Sequence, residues 1–146
     1  MIRALRPTDV LAYVTFSRDV ARLGEARAER LDGMSFRMVP TVARFLGRSL
    51  AVELGRETWV QIDHGRISGL VAAKRREGTD VWDIDELSFL PAADAGRTAV
   101  RLLEQLLTAA ADDGVHKVFL RLPDDSPAQD WVRQVGFFRY CNEVTF

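Results

Sequence analysis

VWDIDELSFLPAADAGRTAVRLLEQLL, residues 81–107, decides the reading of the fold. Residues 81–90 are rich in β-branched, aromatic and alternating apolar positions, which predicts a strand. Pro91 closes it, and a short loop leads to a helix from about Asp94 to Asp113. Its apolar stripe is Ala99, Val100, Leu103, Leu106, Leu107 and Ala110. A strand that runs into a helix start aims free backbone N–H groups at whatever lies above it, a setting that suits a phosphate. The strand itself holds a phase slip. Trp82 and Ile84 share one face and Leu87 and Phe89 share one face, but the two sets are out of step. One extra residue near Asp85 or Glu86 reconciles them, which predicts a β-bulge. Such a bulge brings Asp83 and one of Asp85 and Glu86 to one side, where two carboxylates raise each other's pKa toward that of a useful base.

Upstream of this stretch lies a meander. TWVQI is a strand, DHGR a hairpin turn, ISGLVAAKR its partner, and EGTD the turn into residue 81. MIRAL reads as a short first strand. The helix after it is capped by Thr8 or Asp9 and ended by Gly24, with Val10, Tyr13, Val14, Phe16, Val20 and Leu23 at helical spacing. Residues 25–37 are polar, and PTVARFLGRSLAVEL, residues 40–54, reads as a second helix. Downstream, Gly114 ends the long helix, and VHKVFLRL reads as a buried central strand. DSPAQDWVRQVGFF follows: Ser126 is the N-cap, Pro127 fits the first helical position, Gln129 completes a capping box, and Gly136 ends the helix. FFRYCNEVTF is the last strand. The order predicts a mixed α/β fold in one domain, 1–146: a twisted mixed sheet of six to seven strands flanked by about four helices.

A chain of 146 residues buries a core without staples. Twenty basic against twenty-one acidic residues leave a net charge of −1, which favours neither nucleic acid nor an anionic membrane. Cys141 is the only cysteine, so no internal disulfide forms, and His64, His116 and Cys141 have no metal-ligand spacing. Nothing at the start reads as a signal peptide, and Arg44 and Arg48 rule out a span across residues 42–54. The expectation is a cytoplasmic protein. Trp59, Trp82 and Trp131 read as packing residues rather than base-stacking platforms.

This order resembles the GNAT superfamily of N-acetyltransferases over nearly the whole chain, with residues 24–56 the weakest part. DIDELSFLP resembles the family's fourth strand. DAGRTAVRLL sits at the family's pyrophosphate turn, and DSPAQDWVRQVGF resembles its last helix, which ends in Gly-Phe. The resemblance implies acetyl-CoA as cosubstrate, no metal, and a small-molecule or peptide amine as acceptor. It places the pantetheine against fourth-strand backbone near Phe89 and Leu90, and the pyrophosphate on Gly96, Arg97, Thr98, Ala99, Val100 and Arg101. Asp125 stands where the last helix often starts with Asn. Asp83 takes the base position, helped by Glu86 or Asp85. Acceptor contacts are expected from residues 24–56, and fold analogy suggests a homodimer.

Three further positions depart from the family pattern. Asp94 replaces a cationic or amide residue, Arg97 replaces the first glycine, and Val132 replaces the tyrosine that protonates the leaving thiolate. An aspartate N-cap is expected to bond the amides a pyrophosphate needs. Arg97 offers a guanidinium to phosphate in place of a close backbone approach. Tyr140 is an alternative acid. Two functions follow: an acyl-CoA-dependent N-acyltransferase, or a non-catalytic module that keeps the scaffold and binds another small ligand or a protein.

Overall fold

Among the described residues five strands build one sheet in chain order: β1 (Ile2–Ala4), β2 (Arg56–Asp63), β3 (Arg66–Arg75), β4 (Val81–Phe89) and β5 (Lys117–Leu120). Three α-helices accompany them among the described residues: α1 (Val10–Glu25), α2 (Ala95–Asp112) and α3 (Ala128–Gln134). The computed structural model describes residues 1–25, 56–91, 94–124 and 126–141. The helix expected over 40–54 lies outside the described residues. The neighbours β1 to β4 pair antiparallel, and β4 pairs β5 parallel, as the long return through α2 requires.

β3 divides the core. Its run Leu70–Ala73 alternates between the faces, so both must be apolar. Val71 and Ala73, with Trp82, Ile84 and Leu87 of β4, pack against Leu102, Leu103 and Leu106 of α2 and Val132 of α3. Leu70 and Ala72, with Val60, pack against Tyr13 and Phe16 of α1. α1 therefore covers one side of the sheet and α2 with α3 the other, and β4 sends its apolar side chains to the α2 side.

Local signals explain the joints. β2 turns into β3 through His64 and Gly65, both with positive φ (50° and 75°), as a two-residue type I′ hairpin turn needs. α2 ends in a Schellman pair: Gly114 N–H donates to the Ala111 carbonyl and Val115 N–H to that of Ala110. At the entry to α1, the Arg6 N–H donates to the Asp9 carboxylate at 2.8 Å, across a 3-10 turn over Pro7–Asp9. Gly24 does not stop this helix, which continues to Glu25.

The described residues hold five strands and three α-helices where six to seven strands and about four helices were expected. Of the last strand expected over 137–146, residues 137–141 form no strand and 142–146 lie outside the described residues. Arg139 pairs with Asp124 instead, and the Tyr140 ring meets Phe119 edge-on at 6.0 Å. β5 is half-buried rather than a buried central strand, since only β4 flanks it among the described residues. At α3 the Ser126 hydroxyl accepts from the Ala128 N–H as expected, but Gln129 donates to the Pro123 carbonyl, so the capping box is not completed.

Candidate functional site

β4 and β5 part company halfway. Their ladder joins Val81–Ile84 to Lys117–Leu120 and stops there. From Asp85 onward, β4 has no partner on that flank among the described residues. The break coincides with the expected bulge. Against β3, Ile84 faces Ala73 and Glu86 faces Ala72, so Asp85 is the extra residue. The phase slip in the sequence and the fork in the sheet thus share one position.

Alternation tells which polar groups reach the fork. Leu90 N–H donates to the Ser68 carbonyl at 2.9 Å, so it is committed to β3. Pairing continues through Ser88–Leu70 and Glu86–Ala72. An antiparallel ladder turns the intervening residues outward, which sends the N–H and C=O groups of Leu87 and Phe89 toward the open flank. Of the two residues expected to offer backbone there, Phe89 does and Leu90 does not.

The start of α2 lies beside this flank. Asp94 is its N-cap residue, yet its carboxylate makes no capping bond. Its φ of −105° and ψ of 16° differ from the extended conformation that turns a side chain back onto the helix. The amides of Ala95, Gly96 and Arg97 precede the first intrahelical donor, Thr98 N–H, which bonds the Asp94 carbonyl at 3.0 Å. Ala99 and Val100 bury their side chains in the core, while Arg97 and Arg101 are exposed, one turn apart. Asp94 lines an open groove with Asp63, His64, Ser68 and Thr98. Asp125 lies outside the described residues. On the α3 side, Trp131 sets its ring edge-on to Phe89, 5.1 Å between centroids.

The register sets Asp83, opposite Lys74, and Glu86, opposite Ala72, on one face of the sheet, as the bulge predicts, but the three β4 carboxylates have different partners. Asp83 lies in the part of β4 still paired to β5, opposite Phe119, and Arg76 clasps it through Nε at 2.6 Å and Nη2 at 2.8 Å. Asp85 takes both terminal nitrogens of Arg56, at 2.7 and 3.0 Å. Asp83 and Asp85 each leave 38% of the side chain exposed. Glu86 is different: only 5% is exposed, and the Ser88 hydroxyl donates to it at 3.3 Å. Glu86 stands in one row with Ala72 and Thr58, on the α1 face of the sheet at the fork. Val132 is buried in the core against α2. Tyr140 sits by Phe119, next to the paired half of β4, not the open half. No cluster of three metal-ligating side chains occurs among the described residues, and no described helix is long and apolar enough to cross a membrane.

Solved acetyltransferases share the architecture that carries this fork. The chain has the GNAT fold. It covers all of its length and 93% of an aminoglycoside acetyltransferase from an uncultured soil metagenomic sample, solved in complex with sisomicin, at a TM-score of 0.74 and 17% identity. An enzyme solved with the bisubstrate analog CoA-S-monomethyl-acetylneamine matches over 100% of this chain and 95% of its own, at a TM-score of 0.73 and 13% identity. Against the aminoglycoside 6'-N-acetyltransferase from Enterococcus faecium the TM-score is 0.62 at 15% identity, over 82% of this chain and 60% of that one. No protein-family model and no curated protein matches. The GNAT fold therefore comes from geometry, and the chemistry has to be argued from this chain's own residues.

Proposed function

We propose that the chain is an acyl-CoA-dependent N-acyltransferase acting on a small amine. The observation that carries the reading is the fork after Ile84, with the Asp85 bulge on its rim and uncapped amides at the start of α2 beyond it. A thioester carrier laid in the fork finds Leu87 and Phe89 backbone along its amide-bearing arm. Ala95–Arg97 N–H groups, with the Arg97 and Arg101 guanidiniums, receive its diphosphate.

Of the three carboxylates, Glu86 is the base in this reading. Asp83 and Asp85 are part-exposed and clasped by arginines, and Glu86 is buried in the row just past the bulge. The amine nitrogen attacks the thioester carbonyl, and the amine proton passes to Glu86 directly or through a water. A backbone N–H of Leu87 or Phe89 steadies the charge that grows on the carbonyl oxygen. The C–S bond then breaks. With Val132 in the core, the thiolate takes its proton from solvent.

The burial of Val132 and the arginine at position 97 favour a second reading, a non-catalytic module on the same scaffold. Acetyl-CoA separates the two. At about 100 times its dissociation constant a ligand adds about 2.7 kcal/mol to stability, a rise of about 5–10 °C in melting temperature for a chain of this size. The transferase reading expects that rise, and release of free thiol when a primary amine is added. No rise with acetyl-CoA at millimolar concentration favours the module.

A further inference from the structure

Arg56 reaches from β2 across β3 to hold the residue that makes the bulge. Its two terminal nitrogens take both oxygens of Asp85, at 2.7 and 3.0 Å, in the forked geometry that fixes a carboxylate's orientation as well as its distance. The guanidinium is mostly covered, with 19% of the side chain exposed. Its Nε is buried with no hydrogen-bond partner. An orphaned buried donor is a cost, and a cost that persists asks what the rest of the group secures. Here the rest of the group secures Asp85. The register makes the reason physical. Arg56, Lys74 and Asp83 form one row across the sheet, and Thr58, Ala72 and Glu86 form the next. Asp85 is the one residue squeezed between those rows, with no β3 partner of its own. A bulge residue with a free side chain lets the strand beyond it slip or relax toward regular pairing.

We propose that Arg56 is a positioning residue: its clasp on Asp85 pins the bulge and thereby holds Glu86 at the fork between β4 and β5. This rests on the reading of Glu86 as the base. Arg56 does not touch the reacting atoms. It acts by keeping the bulge at Asp85, so that the next residue faces α1 and not α2. A general base displaced by about 1 Å loses on the order of 100-fold in rate while ground-state binding barely changes.

The test compares the wild type with Arg56→Gln, Arg56→Lys and Glu86→Gln in the full chain. Amide hydrogen exchange, read by mass spectrometry on peptides covering residues 82–90, reports the bulge without reference to activity. Thiol release from acetyl-CoA, with propylamine as the probe acceptor, reports kcat and KM. Arg56→Gln is expected to speed exchange across 85–87 and to lower kcat by about 10- to 100-fold, with KM for acetyl-CoA within about twofold. Arg56→Lys keeps one contact to Asp85 and recovers much of the loss. Unchanged exchange, or an Arg56→Gln enzyme with wild-type kcat beside an inactive Glu86→Gln enzyme, overturns the positioning role alone. Wild-type protein that releases no thiol, or a fully active Glu86→Gln enzyme, overturns the reading beneath it and the inference with it.

Discussion

The indole nitrogen of Trp131 occupies the space that a Cβ on residue 96 would need: built on Gly96, that atom would stand 2.5 Å from Trp131 Nε1 and 2.9 Å from Cε2. α3 therefore reaches the first turn of α2 only because position 96 has no side chain. Gly96→Ala is expected to destabilise the protein by about 1–2 kcal/mol, as overpacking outweighs the gain in helix propensity. In a Trp131→Ala background the sign should reverse, and the same substitution should stabilise by up to about 1 kcal/mol. Urea unfolding of the four proteins of this cycle checks the reversal. Additive effects would mean the contact carries no strain.

The entry to α1 predicts an acid-sensitive joint. Arg3 donates to both oxygens of Asp9, at 2.6 and 2.7 Å. The Arg3 hydrogen bonds foremost, with the Arg6 N–H behind them, hold the Asp9 carboxyl below its ordinary range despite partial burial. A depressed folded pKa contributes stability that is present above the unfolded value, about 3.9, and is lost as pH falls through the folded one. Asp9→Asn should cost about 1–3 kcal/mol at pH 7. Thermal melts from pH 7 to pH 2 should show the two proteins converging at the acid end. A constant difference across that range would contradict the assignment.

Glu57 predicts the opposite sign. Burial first, and the Asp113 charge second, push its carboxyl above the usual range. The ionised form is disfavoured in the folded state, so stability present below the unfolded pKa is lost as pH rises through the folded one. Glu57→Gln should raise the melting temperature at pH 7 and make no difference near pH 4. Asp113→Asn should recover less, since Asp113 also pairs with Arg75 and repulsion is the smaller cause. Melts at the two pH values decide it.

How much of the site could be read in the sequence depends on the range of each interaction. The bulge was legible, because a phase slip between Trp82–Ile84 and Leu87–Phe89 is written in consecutive residues and all four side chains join one core on the α2 side. The direction of Asp94 was not. A cap bond depends on backbone angles that residue type only biases, and here those angles turn the carboxylate away. The partners of the β4 carboxylates were not legible either. Arg56 comes from 29 residues before Asp85, and only the strand register brings the two together.

The choice between Asp83 and Glu86 gives the sharpest prediction. Asp83 lies beside Phe119 in the paired half of β4 and is clasped by Arg76, so its lone pairs are committed to that guanidinium. Glu86 lies past the bulge, on the face where an acceptor approaching from the α1 side would meet the thioester. Glu86→Gln keeps the shape and the Ser88 contact but removes proton acceptance, and should lower kcat by about 10²–10⁴-fold with acetyl-CoA binding unchanged. Asp83→Asn should stay within about threefold of wild type, since exposed ion pairs contribute about 0–1 kcal/mol. Arg97→Glu should do neither: it places a carboxylate beside the amides of the first turn of α2, so it should abolish the acetyl-CoA melting shift and raise KM before it alters kcat. Steady-state kinetics on the three variants, with the melt shift as the binding control, separates base, bystander and phosphate contact. An inactive Asp83→Asn enzyme beside an active Glu86→Gln enzyme would return the base to the paired half of the strand, and the fork would then bind the carrier without positioning its chemistry.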